Sequence, residues 1–322
     1  MNHSSLDQLL EGLKQDVVTR EQIRHLGADA RLSPFLAGTI DKTDEPADAS
    51  YKAVLKNSHG RPVGFLICSN PVNTELVARN TAMARKAKRR LKPPLNSVIL
   101  EPLLEGRYKE LSWAVFDLKK TLADDLWRWR WQKIRITPAL MQWLAAKAQS
   151  TRLPVGDFHL AGAVAGPLQA LADDARFPGE IRARTRKALE RLAKGAWAPQ
   201  WILAHNDLWK GNILLPQPGI SAIQPRFYII DWAGSTTRGF PFFDLLKLTE
   251  NFNLPDFYAL RLVKKHCSIM DCSILDSMSY LLAGIAGMGM NLENFPHHVY
   301  VKMSVGLYRR LARVLGEGEG QL

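Results

Sequence analysis

Cysteine is scarce in this chain: Cys68, Cys267 and Cys272 are the only three among 322 residues, odd in number and not arranged as paired CxxC units. That excludes a disulfide framework, supplies no zinc-ligand pattern and fits a reducing compartment. Long apolar runs are missing as well. No stretch reaches the roughly 20 residues that span a bilayer, and the opening MNHSSLDQLLEGLKQD carries acidic residues where an export signal has its apolar stretch. Neither export nor membrane spanning is expected, and the location implied is cytoplasmic, either free or peripheral at the inner face of the membrane. There is no internal repeat, and low complexity is confined to a short GEGEG near the C-terminus.

What is present is an ordered, basic chain. Hydrophobic residues make up 46% and charged residues 23%, ordinary values for a folded protein. At 322 residues the length suits two lobes sharing a cleft. The formal net charge of +12 favours an anionic partner: a nucleotide, a phosphorylated substrate or an acidic membrane surface. Nucleic acid is not expected, because the basic residues are spread and no recognition motif accompanies them. Oligomeric state is left open.

Periodicity divides the chain. Residues 1 to about 30 read as an amphipathic helix with Leu9, Leu10, Leu13 and Val17 at helical spacing, and TIDKTDEPADAS reads as a loop. Two β-prone runs around Asn57 to Pro62 predict a hairpin. NPVNTELVARNTAMARKAKRRL predicts a helix ending before Pro93 and Pro94, and SVILEPLLEG and LSWAVFDL predict two more strands. From residue 121 onward the pattern is mostly helical, near 121–150, 160–175, 178–195 and 241–322, interrupted by two short apolar runs, WILAH and FYIID. The expected fold is α+β: a lobe over residues 1–118 with a leading helix and a small antiparallel sheet, and a helical lobe over 119–322. The glycine-rich GIAGMG at 284–289 falls in the helical part and reads as close helix packing.

Each apolar run leads into a polar cluster. In HNDLWKGNILL, residues 205–215, Asp207 and Asn212 stand five positions apart in a loop; FYIIDWAGSTTRGFPFFDLLKL places Asp231 directly after a strand. Phosphoryl transfer asks little covalent help of a protein and depends on positioning and charge neutralisation. Asp207 supplies a carboxylate for the proton of an attacking hydroxyl. Asn212 and Asp231 supply the hard oxygen ligands that Mg²⁺ prefers.

HNDLWKGNIL resembles the catalytic loop of aminoglycoside phosphotransferases, and its HND and GNIL elements are closer still to choline and ethanolamine kinases. The likeness extends through IIDWAGSTTRGFPFFDL, with a Gly and Pro and then Asp-Leu opening a helix. It implies a two-lobed, protein kinase-like phosphotransferase using ATP and Mg²⁺. Asp207 would be the base, Asn212 and Asp231 the metal ligands, and His205 and Asp244 supports for the two loops. The resemblance also implies a hinge after WAVFDL, where backbone groups of Phe116 to Leu118 would meet the adenine edge.

Two family features are missing. Where the third strand of the small lobe normally offers a Lys to the phosphates, this chain has VGFLICSN, so that position falls at Ile67 or Cys68, and no Lys lies between 57 and 85. Glu75 is placed for the helix Glu that would pair with it, while Lys52 and Lys56, on one face of the preceding strand, are the candidates to replace it. No GxGxxG covers the phosphates. A pseudokinase that acts by binding therefore stays open beside an active transferase.

The acceptor is read from charge. RKAKRRLK at 85–92 reads as a solvated helix end; LWRWRWQKIR at 126–135 alternates Trp with Arg, a composition suited to a membrane interface, to ring stacking or to packing between helices. A cationic chain argues against aminoglycosides. The expected acceptor is a small molecule or a glycolipid sugar, anionic or membrane-associated, with a choline- or ethanolamine-type alcohol as the alternative, caged by Trp209 and Trp232.

Overall fold

The computed structural model describes residues 12–13, 15–17, 28–34, 50–57, 59–217, 225–292 and 295–316. A five-stranded antiparallel sheet forms the smaller lobe, with strands β1 (Ala28–Pro34), β2 (Tyr51–Asn57), β3 (Pro62–Cys68), β4 (Leu104–Tyr108) and β5 (Leu111–Asp117) in the order β1-β2-β3-β5-β4. Period-two alternation gives the sheet two different faces. Leu55, Leu66, Cys68, Trp113 and Val115 bury themselves in a small core that also takes Leu13 and Val17, one helical turn apart. On the other face Lys52, Val54, Phe65 and Ile67 look into the cleft.

Helix α1 (Leu76–Arg90) follows β3 and ends before the two prolines, with Lys88, Arg89 and Arg90 in its last turn, where they complement the carbonyl end of the helix. It ties the lobes together. Ala84, Ala87 and Leu91 join the large core, and Leu95, just beyond, accepts from the indole of Trp143 at 2.9 Å.

The larger lobe is helical: α2 (Leu126–Thr151), α3 (Gly166–Asp173), α4 (Gly179–Ala193), α5 (Phe243–Asn251), α6 (Asp256–Met270), α7 (Ile274–Gly289) and α8 (His297–Val314). Two small three-stranded sheets lie against them. In one, β7 (Leu153–Pro154), β8 (Gln200–Ala204) and β11 (Thr236–Gly239) place β8 in the middle; in the other, β9 (Ile213–Leu215) lies between β6 (Lys120–Thr121) and β10 (Tyr228–Ile229). These sheets carry the polar loops. Gly284 packs on Phe243, and a methyl group at Gly289 would lie 2.5 Å from the Tyr300 hydroxyl, so GIAGMG is a helix-packing surface.

Three expectations need correction. Residues 28–30 are strand, not the end of the leading helix; Leu9, Leu10 and nearly all of TIDKTDEPADAS lie outside the described residues. SVILEPLLEG is not one strand: Leu95–Val98 forms a 3₁₀ turn and β4 starts at Leu104, because Pro102 cannot donate to a ladder. FYIID contributes only two strand residues, Tyr228 and Ile229.

Candidate active site

The polar loops are built around one buried carboxylate. Asp244 stands in the first turn of α5, where the unpaired N–H groups favour negative charge. One of its oxygens accepts from the backbone N–H of His205 at 2.8 Å and from Lys147 Nζ at 2.7 Å, and the other accepts from Asn206 N–H at 2.9 Å. Burial opposes its charge, but Lys147 and the surrounding donors hold it below the usual carboxylate range. Removing one partner from a buried pair of this kind costs about 3–5 kcal/mol. The clamp therefore fixes where the loop after β8 begins.

His205 sets the next step. The N–H of Asp207 donates to Nδ1 at 3.3 Å and Nε2 faces the Ile230 carbonyl at 3.0 Å, so the ring carries its proton on Nε2. Burial drives its pKa down, outweighing the carboxylates nearby, and the ring stays neutral. Its face packs on Trp232 with centroids 4.6 Å apart. One imidazole thus joins the two loops.

Asp207 and Asn212 meet directly. The Asn212 amide donates to the Asp207 carbonyl at 2.8 Å and to its Oδ2 at 2.9 Å, which leaves the Asn212 side-chain oxygen free to act as a ligand. Lys247, on α5, donates to the other Asp207 oxygen at 2.5 Å. Asp231 sits across the cleft with a backbone φ of +61°, a left-handed conformation tolerated best by Gly, Asn and Asp. Asn80 of α1 donates to its Oδ1 at 3.3 Å and accepts from the next backbone N–H, that of Trp232, at 2.8 Å. Desolvation in the cleft and the Asp207 charge push the Asp231 pKa up, and the Lys52 charge opposes them.

This donor set fits Mg²⁺. Asn212 and Asp231 offer hard oxygens, and a divalent cation would relieve the repulsion between Asp231 and Asp207. Among the described residues no group of three His, Cys, Asp or Glu forms a softer cage. Magnesium usually takes few protein ligands, completing its shell with water and phosphate.

The cleft holds about 1790 Å³ and is lined by Asp207, Asn212, Asp231, Phe116 and Leu118 together, as well as Lys52. Two of the expected cofactor residues fall elsewhere. Lys56 does not line it, because the β2–β3 register shifts between Leu55 and Lys56. Glu75 precedes α1 and pairs with Arg107 of β4 at 2.5 Å, away from the cleft. Lys52 lies directly across from Ile67 in the β2–β3 ladder, so its side chain occupies the neighbouring position on the face where a β3 lysine was expected. Lys147, Lys247 and Asn80 are additions that the sequence reading missed. A lone Lys in the apolar run of α2 was the available signal for Lys147; Lys247 and Asn80 had none.

Trp232 is fully buried against His205 and cannot cage a ligand, whereas Trp209 is 39% exposed and lines the cleft. Trp201, which also lines the cleft, lies beneath Arg238, 5.1 Å from its ring. Among the described lining residues the carboxylates are Asp117, Asp207 and Asp231, against cations at Lys52, Arg79, Lys119, Lys120, Arg128 and Arg238.

No protein-family model matches the chain, and no curated protein matches it in sequence. Solved structures do match. A choline/ethanolamine kinase family protein from Mesorhizobium loti aligns over 97% of this chain and 96% of its own, at 16% identity and a TM-score of 0.52. A choline kinase from Streptococcus pneumoniae covers 94% and 99% at 16% identity and a TM-score of 0.43. An aminoglycoside phosphotransferase from Alicyclobacillus acidocaldarius covers 88% and 96% at 13% identity and 0.41. With most of both chains aligned, this chain shares the two-lobed, kinase-like fold of that choline/ethanolamine kinase family protein.

Proposed function

We propose that the chain is a phosphotransferase that moves the γ-phosphoryl group of ATP to a hydroxyl of a small molecule or glycolipid sugar. The observation that carries this reading is the convergence of Asp207, Asn212 and Asp231 in one cleft, held there by the buried Asp244 clamp. Asp207 orients the acceptor hydroxyl and takes its proton. Its carboxylate is held in place by the Asn212 amide and Lys247. Asn212 and Asp231 would hold Mg²⁺, which neutralises charge on the phosphate oxygens when bound. Lys52 is the cation that the small sheet turns into the cleft, and backbone groups of the Phe116 to Leu118 segment would meet the edge of the base.

The cation-rich lining favours an uncharged or anionic acceptor over a quaternary amine, and of the two tryptophans expected to form a cage Trp232 is buried. Calorimetric titration with a non-hydrolysable ATP analogue tests the nucleotide half of the proposal. The unmodified chain is expected to bind in a Mg²⁺-dependent manner, and Asp231→Ala to lose that dependence. Binding indifferent to Mg²⁺ in both proteins would count against it.

A further inference from the structure

The first three turns of α2 carry an exposed apolar stripe that the cleft chemistry does not use. Trp127, Trp131 and Ile134 are 70%, 69% and 67% exposed and stand at i, i+4 and i+7, one above the other on a single helix face. Leu126 adds 58% at the helix start. Large aromatic side chains gathered on a free surface mark a contact with something else. Trp129, between them in sequence, turns inward and meets Phe252 edge-on at 5.1 Å. The alternation of Trp with Arg therefore resolves into one tryptophan for the core and two for the outside.

The charges on the helix itself have one sign, and Asp256 beside Phe257 is paired with Arg310 and Arg313. α2 contains no Asp or Glu in its 26 residues, and exposed Arg128, Arg130 and Arg135 flank the tryptophans, with Arg130 5.5 Å from the Trp127 ring. The two acids that precede the helix, Asp124 and Asp125, lie beside Lys210 and Arg128. A second exposed set of an aromatic and cations lies on the neighbouring α6. Lys133 bonds the Asn253 carbonyl at 3.1 Å, and just beyond it Phe257 (77% exposed), Arg261 and Lys264 repeat an i, i+4, i+7 face of one aromatic and two cations.

We infer that this face docks on an anionic phospholipid surface, with Trp127, Trp131 and Ile134 at headgroup depth and the arginines on lipid phosphates. Indole rings favour the headgroup layer, and each nearby cation adds attraction to an acidic leaflet. Charge selects this occupant over a second copy of the chain, because a symmetric pair would set arginines against arginines. Arg128 and Gln132, on the adjoining face of α2, line the cleft. Docking therefore brings the mouth of the cleft to the lipid surface, where an amphipathic acceptor would be presented.

Co-sedimentation of the full chain with phosphatidylcholine vesicles, with and without phosphatidylglycerol, tests the inference without reference to phosphotransfer. Binding is expected only to the anionic vesicles and is expected to weaken as salt rises. Trp127→Gln with Trp131→Gln should weaken it by at least about tenfold with an unchanged melting temperature, since both rings are in solvent. Three results would overturn it: no binding by the parent, a double variant that binds as tightly as the parent, or a parent dimer in light scattering that the double variant dissociates.

Discussion

Lys52 and Ile67 are cross-strand partners, and that pairing lets a cation leave β3 without leaving the face of the sheet. If Lys52 meets the nucleotide phosphates, Lys52→Met weakens ATP binding by about tenfold or more, a loss typical of a charge-assisted contact. Lys56→Met, outside the cleft, leaves it unchanged; calorimetry on both variants checks the pair. Lys247 makes a separate prediction. Its bond to Asp207 Oδ1 holds the carboxylate against rotation, so Lys247→Met should lower kcat by about 10- to 100-fold while the KM for ATP moves little. Steady-state kinetics reads the two constants apart. Asp207, Asn212 and Asp231 were legible in the sequence because they stand in short polar loops bounded by apolar runs. Asn80 and Lys247 were not, because their partners lie 152 and 40 residues away; for Lys147 a lone Lys in an apolar run marked a buried cation, but its partner 97 residues on was not encoded locally.

The helices with strong periodicity lie close to where the sequence placed them, and the strands do so less well. α1, α4 and the hairpin of β2 and β3 follow the pattern closely, whereas β6, β7, β9 and β11 are two to four residues long, too short for alternation to show. α6 carries the next prediction. His266 is buried with Nδ1 donating to the Leu262 carbonyl at 3.0 Å and its ring near Phe242, and burial, with the Lys147 and Lys265 charges, pushes its pKa down from 6.5 to about 4. Between those values the unfolded chain holds a proton that the folded chain lacks. Stability is therefore highest above about pH 6.5 and falls as the pH drops toward 4, by roughly 2–3 kcal/mol from this residue. Neutral, buried His205 adds in the same direction. Unfolding free energies from urea titrations at pH 7 and pH 4.5 should differ by about 2 kcal/mol less in His266→Gln than in the parent. An unaltered difference would place the acid sensitivity elsewhere.

At the scale of the molecule, two cores meet along one cleft. The small sheet turns its apolar face away from the cleft and its Lys52 face into it, while the large lobe raises Asp207, Asn212 and Asp231 from loops fixed by Asp244. α1 belongs to both lobes, because its C-terminal half joins the large core and its Asn80 reaches the Asp231 loop. The two-lobed α+β arrangement was readable from the order of strand and helix signals. The electrostatics of the cleft were not, since the net charge of +12 does not say which cations face inward.

The central claim is that this cleft transfers phosphate, and the most direct measurement follows the phosphate itself. Purified chain is incubated with γ-labelled ATP, Mg²⁺ and cell extract, and the label is partitioned between organic and aqueous phases beside an Asp207→Ala control. Label passing to an acceptor only with the unmodified chain is the predicted result, and its phase identifies a lipid-linked or a soluble acceptor. Equal labelling by the two proteins would contradict the account and leave the chain as a nucleotide-binding fold without transfer.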